Sequence, residues 1–73
     1  MKIKIYKYTQ GEEEKIFEGK YEYLEGGKTE GKPSFHIVAS NEKEDCEIYF
    51  YCESEEEIKG LIEELKRFSS ETR

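Results

Sequence analysis

The sequence predicts an α+β domain, an antiparallel sheet of about four strands in a ββββα meander with one C-terminal amphipathic helix packed on one face. Three observations carry this expectation. Four stretches before residue 54 alternate apolar and polar side chains at period two, as strands do. Stretches rich in Gly, Asn and acidic residues separate them. From Ile58 onward the period changes to that of a helix. At 73 residues the chain has room for one core, so residues 1–73 are expected to form a single domain.

The first strand is expected over residues 2–8, with Ile3 and Ile5 on one face and Lys4, Tyr6 and Tyr8 on the other. Gln10-Gly11-Glu12 reads as a turn. A second strand follows over 15–24, where Phe17, Tyr21 and Tyr23 share a face with Gly19, while Ile16 and Leu24 point the other way; Gly19 is expected to mark a bulge. Glu25 to Pro33 holds three of the six glycines and the sole proline, and reads as the longest and most mobile loop. The third strand, 34–40, turns Phe35, Ile37 and Ala39 inward and His36 and Val38 outward, and Asn41 to Asp45 is a polar turn. The fourth, 46–53, has the clearest alternation, with Cys46, Ile48, Phe50 and Cys52 inward and Glu47, Tyr49, Tyr51 and Glu53 outward.

Ser54-Glu55-Glu56-Glu57 has the pattern of a capping box, in which the Ser54 hydroxyl accepts from the Glu57 N–H and the Glu57 carboxylate reaches back to the cap N–H. The helix is expected over 55–68. Ile58, Leu61, Ile62, Leu65 and Phe68 form its apolar stripe, with glutamates in the first turn and Lys66 and Arg67 in the last, as the helix dipole favours. Ser69 to Arg73 reads as a polar, frayed end.

Composition narrows the functions. Charged residues make up 41% and apolar residues 34%, and ten aromatics compensate for the scarcity of aliphatic side chains. The net charge of -6 argues against direct binding to nucleic acid or anionic membrane, which are held by Lys and Arg. The first strand is nevertheless basic, with Lys2, Lys4 and Lys7, whereas the glutamates at 12–14, the run Glu42, Glu44, Asp45 and Glu47, and Glu53 with Glu55–Glu57 form acidic clusters. With no apolar stretch long enough for a signal peptide or a span, and only two cysteines, a cytoplasmic location is expected.

No catalytic, metal or cofactor motif stands out, and an enzyme is not expected. Cys46 and Cys52 lie six residues apart, roughly 20 Å along one strand, too far to bridge each other or share a metal. His36 reads as a surface histidine, and the many glutamates fall in turns and on the helix exterior. The informative feature is the outward set Tyr6, Tyr8, Val38, Tyr49 and Tyr51. One helix covers one face of the sheet, which leaves these on the other as an aromatic patch suited to a protein interface. The acidic Glu42, Glu44, Asp45 and Glu47 form its rim and favour a protein partner over RNA.

From Phe35 to Phe68 the chain resembles the C-terminal part of pleckstrin-homology-like domains. A strand Phe35-His36-Ile37-Val38, a turn, a strand ending Tyr49-Phe50-Tyr51-Cys52, and Ser54-Glu55-Glu56-Glu57-Ile58 opening a helix with Leu61, Ile62 and Leu65 carry the likeness. Leu61 stands where that family usually has Trp, the chain is too short for seven strands, and Gln10-Gly11-Glu12-Glu13 lacks the basic residues that hold inositol phosphates. The resemblance therefore implies protein docking without lipid binding. The expected function is a small acidic, non-catalytic protein-binding domain, of the kind that blocks a basic nucleic-acid-binding surface, as phage anti-defence inhibitors such as anti-CRISPR proteins or DNA mimics do. The alternative is a structural homodimer or stable scaffold without activity of its own, and a small enzyme comes third.

Overall fold

The computed structural model describes residues 1–71. Four strands, β1 (Lys2–Thr9), β2 (Glu12–Thr29), β3 (Lys32–Ser40) and β4 (Asp45–Tyr51), precede one helix, α1 (Glu55–Glu71). The strands form an antiparallel meander in the order β1-β2-β3-β4, as the alternation predicted. Thr72 and Arg73, part of the tail expected to fray, lie outside the described residues, whereas Ser69 to Glu71 are helical. Lys66 and Arg67 therefore sit a turn before the helix end, and its last turn holds no basic residue.

The hairpin turns have one design. Gln10 and Gly11 have φ of 50° and 83°, and Glu30 and Gly31 have φ of 52° and 79°. Two consecutive residues of positive φ make the two-residue connection whose twist matches the flanking strands, with glycine at the second place to avoid a Cβ clash. The second turn corrects the sequence reading. Residues 25–33 are not a long loop, because β2 runs on to Thr29 and β3 begins at Lys32, leaving two residues between them. Across this hairpin the hydroxyls of Thr29 and Ser34 share a hydrogen bond of 2.9 Å.

In the pairing with β1, a bulge interrupts β2 at Ile16, while Gly19 pairs regularly with Ile3. Ile5 lies opposite Phe17 and Tyr6 opposite Lys15, so Ile16 is an extra residue without a partner on β1. Gly19 serves close approach. A Cβ there would stand 2.8 Å from the Phe17 ring and press against the main-chain carbonyl of Ser40.

Contacts divide the chain into two units. The first comprises Met1–Glu25 and His36–Tyr49. Its buried core is small: Phe17, Val38 and Ala39 among the described residues, with Ile3, Ile5, Tyr21, Ile37, Cys46 and Ile48 half-buried. Val38, expected outward and open, is only 7% exposed. The β3–β4 connection is the polar turn the sequence predicted, organised by Asn41. Its Oδ1 accepts from the backbone N–H groups of Lys43 (2.8 Å) and Glu44 (2.9 Å), and its Nδ2 donates to the Glu18 carbonyl (2.9 Å).

The second unit comprises Gly26–Phe35 and the chain from Phe50 onward. Phe35 and Phe50 stack with ring centroids 4.6 Å apart and planes at 13°. Pro33 cannot donate to a ladder, but its carbonyl accepts from Cys52 N–H at 3.0 Å, and Lys32 pairs with Glu53 at 2.8 Å. The helix start keeps half of the expected capping box. The Glu57 carboxylate reaches back, but to Glu53 N–H (2.6 Å), one residue before Ser54, and Glu57 N–H donates to the Ser54 carbonyl (3.3 Å) rather than to its hydroxyl. The apolar stripe of α1, expected to pack on the sheet, stays open: Ile58 is half-buried, but Leu61, Ile62, Leu65 and Phe68 are between 42% and 60% exposed. Both thiols are free and half-buried.

Candidate functional site

The register of β1 on β2 decides which tyrosines share a face. Because Ile5 lies opposite Phe17, Tyr6 and Tyr8 project on the other side of the sheet, that of Lys4 and its partner Glu18. There the two phenol rings lie 6.4 Å apart, tilted by 35°. Glu18 anchors the charges of that side, pairing with Lys15 and, at 3.7 Å, with Lys2. The hydrogen bond from Lys15, then its positive charge and those of Lys4 and Lys2, hold the Glu18 carboxyl below the ordinary range; the same hydrogen bond and the Glu18 charge raise Lys15.

Alternation along β2 carries the Phe17 side to Tyr21 and Tyr23. Tyr23 meets His36 edge-on, with centroids 6.3 Å apart and planes at 75°. His36 in turn stacks on Tyr49 at 4.7 Å and 19°. Three adjacent strands thus contribute one ring each to a row. The two tyrosines are each 49% exposed, whereas the imidazole between them is mostly covered, its side chain 16% exposed. Carboxylates stand at the row's margins. Glu25 Oε1 lies 3.9 Å from His36 Nε2, an ion pair when the imidazole is protonated, and Glu47 Oε2 accepts a 2.9 Å hydrogen bond from the Tyr49 hydroxyl.

The patch expected from the sequence is therefore divided. Tyr6 and Tyr8 belong to the opposite side from Tyr49, Val38 lies on the His36 side of β3 but is buried, and Tyr51, in the second unit, is exposed. Of the acidic rim, Glu47 joins the aromatic row, while Glu42, Glu44 and Asp45 are exposed in and beside the turn built on Asn41. Tyr23, Glu25 and His36 are additions that strand-by-strand alternation did not bring together. Alternation sets Tyr23 on the face of Phe17 and Tyr21, and the pairing that brings that face beside His36 is a matter of register between strands.

An exposed tyrosine ring presents a negative face to a cation, and a carboxylate beside it completes a site for a guanidinium or ammonium group. Among the described residues no group of three or more His, Cys, Asp or Glu side chains is placed to hold a metal ion, and no helix is long and apolar enough to cross a membrane. The fold and this row define an α+β chain of four meander strands and a helix with an aromatic and acidic surface. No family model matches it, nor does any curated protein or solved structure.

Proposed function

We propose that the chain is a non-catalytic binding protein that occupies a basic surface on another protein, using the row Tyr23–His36–Tyr49 and its flanking Glu25 and Glu47. The observation that supports this reading is a row in which two half-exposed tyrosine rings flank His36, with Glu47 hydrogen-bonded to Tyr49 and Glu25 beside His36. Such a surface receives Lys or Arg side chains by their charge and by stacking over the rings. The turn carboxylates Glu42, Glu44 and Asp45 extend the same potential, and the net charge of -6 steers a cationic partner toward the molecule. A basic nucleic-acid-binding cleft has this chemistry, and a protein that fills it acts as an inhibitor.

The test is an NMR titration of isotope-labelled protein with an Arg- and Lys-rich peptide, and with a control peptide carrying Gln at those positions. The basic peptide is expected to shift the signals of Tyr23, Glu25, His36, Glu47 and Tyr49, and the Gln peptide to leave them in place. Tyr23→Ala with Tyr49→Ala is expected to weaken binding about tenfold, two ring contacts being worth roughly 1–2 kcal/mol together. A response confined to residues 42–45, or equal shifts from the Gln peptide, would overturn the assignment.

A further inference from the structure

Among the described residues β4 is the last strand of the sheet, hydrogen-bonded to β3 on one side and to no strand on the other. Its register on β3 shows which main-chain groups face that open edge. Asn41 N–H donates to the Glu44 carbonyl at 2.9 Å, and Cys52, an even number of residues on, donates to the Pro33 carbonyl. In an antiparallel pair such bonds recur at every second residue, so Cys46 and Ile48 turn their main chain toward β3, and Asp45, Glu47 and Tyr49 turn theirs away. The side chains of these last three share one face of the strand, and all three are exposed.

This geometry selects the occupant. A strand added antiparallel to β4 sets the residues that bond to Asp45 and Glu47 directly opposite them, with side chains on the same face. Every second residue of that strand therefore meets, in turn, the Asp45 carboxylate, the Glu47 carboxylate and the Tyr49 ring. A Lys or Arg suits each of these places, by charge at the first two and by stacking at the third. Glu47 accepts from the Tyr49 hydroxyl through Oε2 (2.9 Å), which leaves Oε1 for the cation. A second copy of this chain fits less well. Two β4 edges paired about Glu47 set carboxylate on carboxylate. The basic edge strand β1 offers only Lys2 and Lys4 at this spacing, and Glu18 compensates both: Lys2 lies 3.7 Å from it, and the charge of Lys4 acts on the same carboxyl.

We infer that the β4 edge receives an extended segment of the partner protein in which Lys or Arg alternates with other residues, and that this segment adds a strand to the sheet. The assignment rests on the function proposed for the aromatic row and gives the basic surface a definite form. It is a strand whose main chain bonds to Asp45 and Glu47 while its cations lie along the two carboxylates toward Tyr49. The same carboxylates keep identical edges of two copies apart.

Three short peptides that alternate Arg with Thr test it by NMR titration: one unmodified, one N-methylated at every Arg and one N-methylated at every Thr. All carry the same charge, but only methylation at Arg removes the N–H groups that face β4. The unmodified and Thr-methylated peptides are expected to bind within about threefold of each other, to shift the signals of His36 and Tyr49, and to slow deuterium exchange at the Asp45 and Glu47 amides. The Arg-methylated peptide is expected to bind about tenfold more weakly or worse, having lost its bonds to both residues. Equal affinity of the two methylated peptides, or Asp45 and Glu47 amides that exchange as fast as in the unbound protein, would overturn strand addition and leave the function proposed for the row standing. No shift of the row with any of the three would remove that function, and strand addition with it. Sedimentation of the protein alone over a range of concentrations supplies the last outcome: self-association that Glu47→Lys abolishes would give the edge to a second copy and overturn the proposal.

Discussion

Gly19→Ala tests the packing of the first unit most directly. The added methyl group would lie 2.8 Å from the Phe17 ring and, more seriously, against the carbonyl oxygen and carbon of Ser40. A side chain can rotate away, but the main chain at Ser40 is fixed by the strand it ends and by the Asn41 turn that follows. Phe17 is itself buried, in a core with few other members. Overpacking of this kind costs about 1–3 kcal/mol. Against it stands the conformational gain of replacing glycine in a strand, about 0.5–1 kcal/mol. The net expectation is a loss of roughly 1–2 kcal/mol, which lowers Tm by about 5–15 °C in a domain of this size. Gly27→Ala supplies the control, because nothing lies within 4 Å of a Cβ there and its φ is ordinary; it is expected to raise Tm by a few degrees. Thermal melts of the two variants beside wild type decide the matter. A Gly19→Ala protein as stable as wild type would refute the close approach of β2 to Ser40 and the reason given for this glycine.

Two further expectations concern local structure and charge. Gly31→Ala forces a Cβ into the left-handed region at φ of 79° and is expected to cost about 1–2 kcal/mol, whereas Glu30→Asn at φ of 52° is expected to gain a few tenths of a kcal/mol to about 1, both read from urea titrations. Because Glu18 is lowered in the folded state by Lys15 and its neighbours, its contribution is complete above the ordinary carboxylate range and is lost as pH falls through the lowered value. The Tm gap between wild type and Glu18→Gln is therefore expected to be small but constant near neutrality and to close on acidification; a gap that widened in acid would contradict the pairing.

Much of this architecture is legible in the residues. The alternation of Cys46 to Tyr51 marks β4, Gln10-Gly11 marks a turn, and the stripe from Ile58 marks α1. Other features were obscured by rules that compete within the sequence. Glycines 26, 27 and 31 with Pro33 suggest a loop by composition, yet Thr29-Glu30-Gly31-Lys32 repeats the arrangement of Thr9-Gln10-Gly11-Glu12, and turn chemistry outweighs composition there. The candidate site was legible only in part. Alternation sorts the side chains of one strand into two faces, but which face of β1 matches which face of β2 depends on register, and the bulge at Ile16 shifts that register midway. Tyr6 and Tyr8 were therefore grouped with Tyr49, and Tyr23 was separated from it. At the helix start, the glutamate three residues after Ser54 signals a cap correctly, although its carboxylate closes on the preceding amide.

The strict meander order also has a kinetic meaning. Each strand pairs with its neighbour in sequence, and the connections are two, two and four residues long up to the start of β4. Ring closure over so few residues costs little chain entropy, and no pairing must wait for a distant segment to arrive. The sheet can grow strand by strand as the polypeptide leaves the ribosome, β1 closing on β2 before β3 exists. A chain with few buried side chains among the described residues gains from such an assembly route, since each new strand finds its partner already formed beside it.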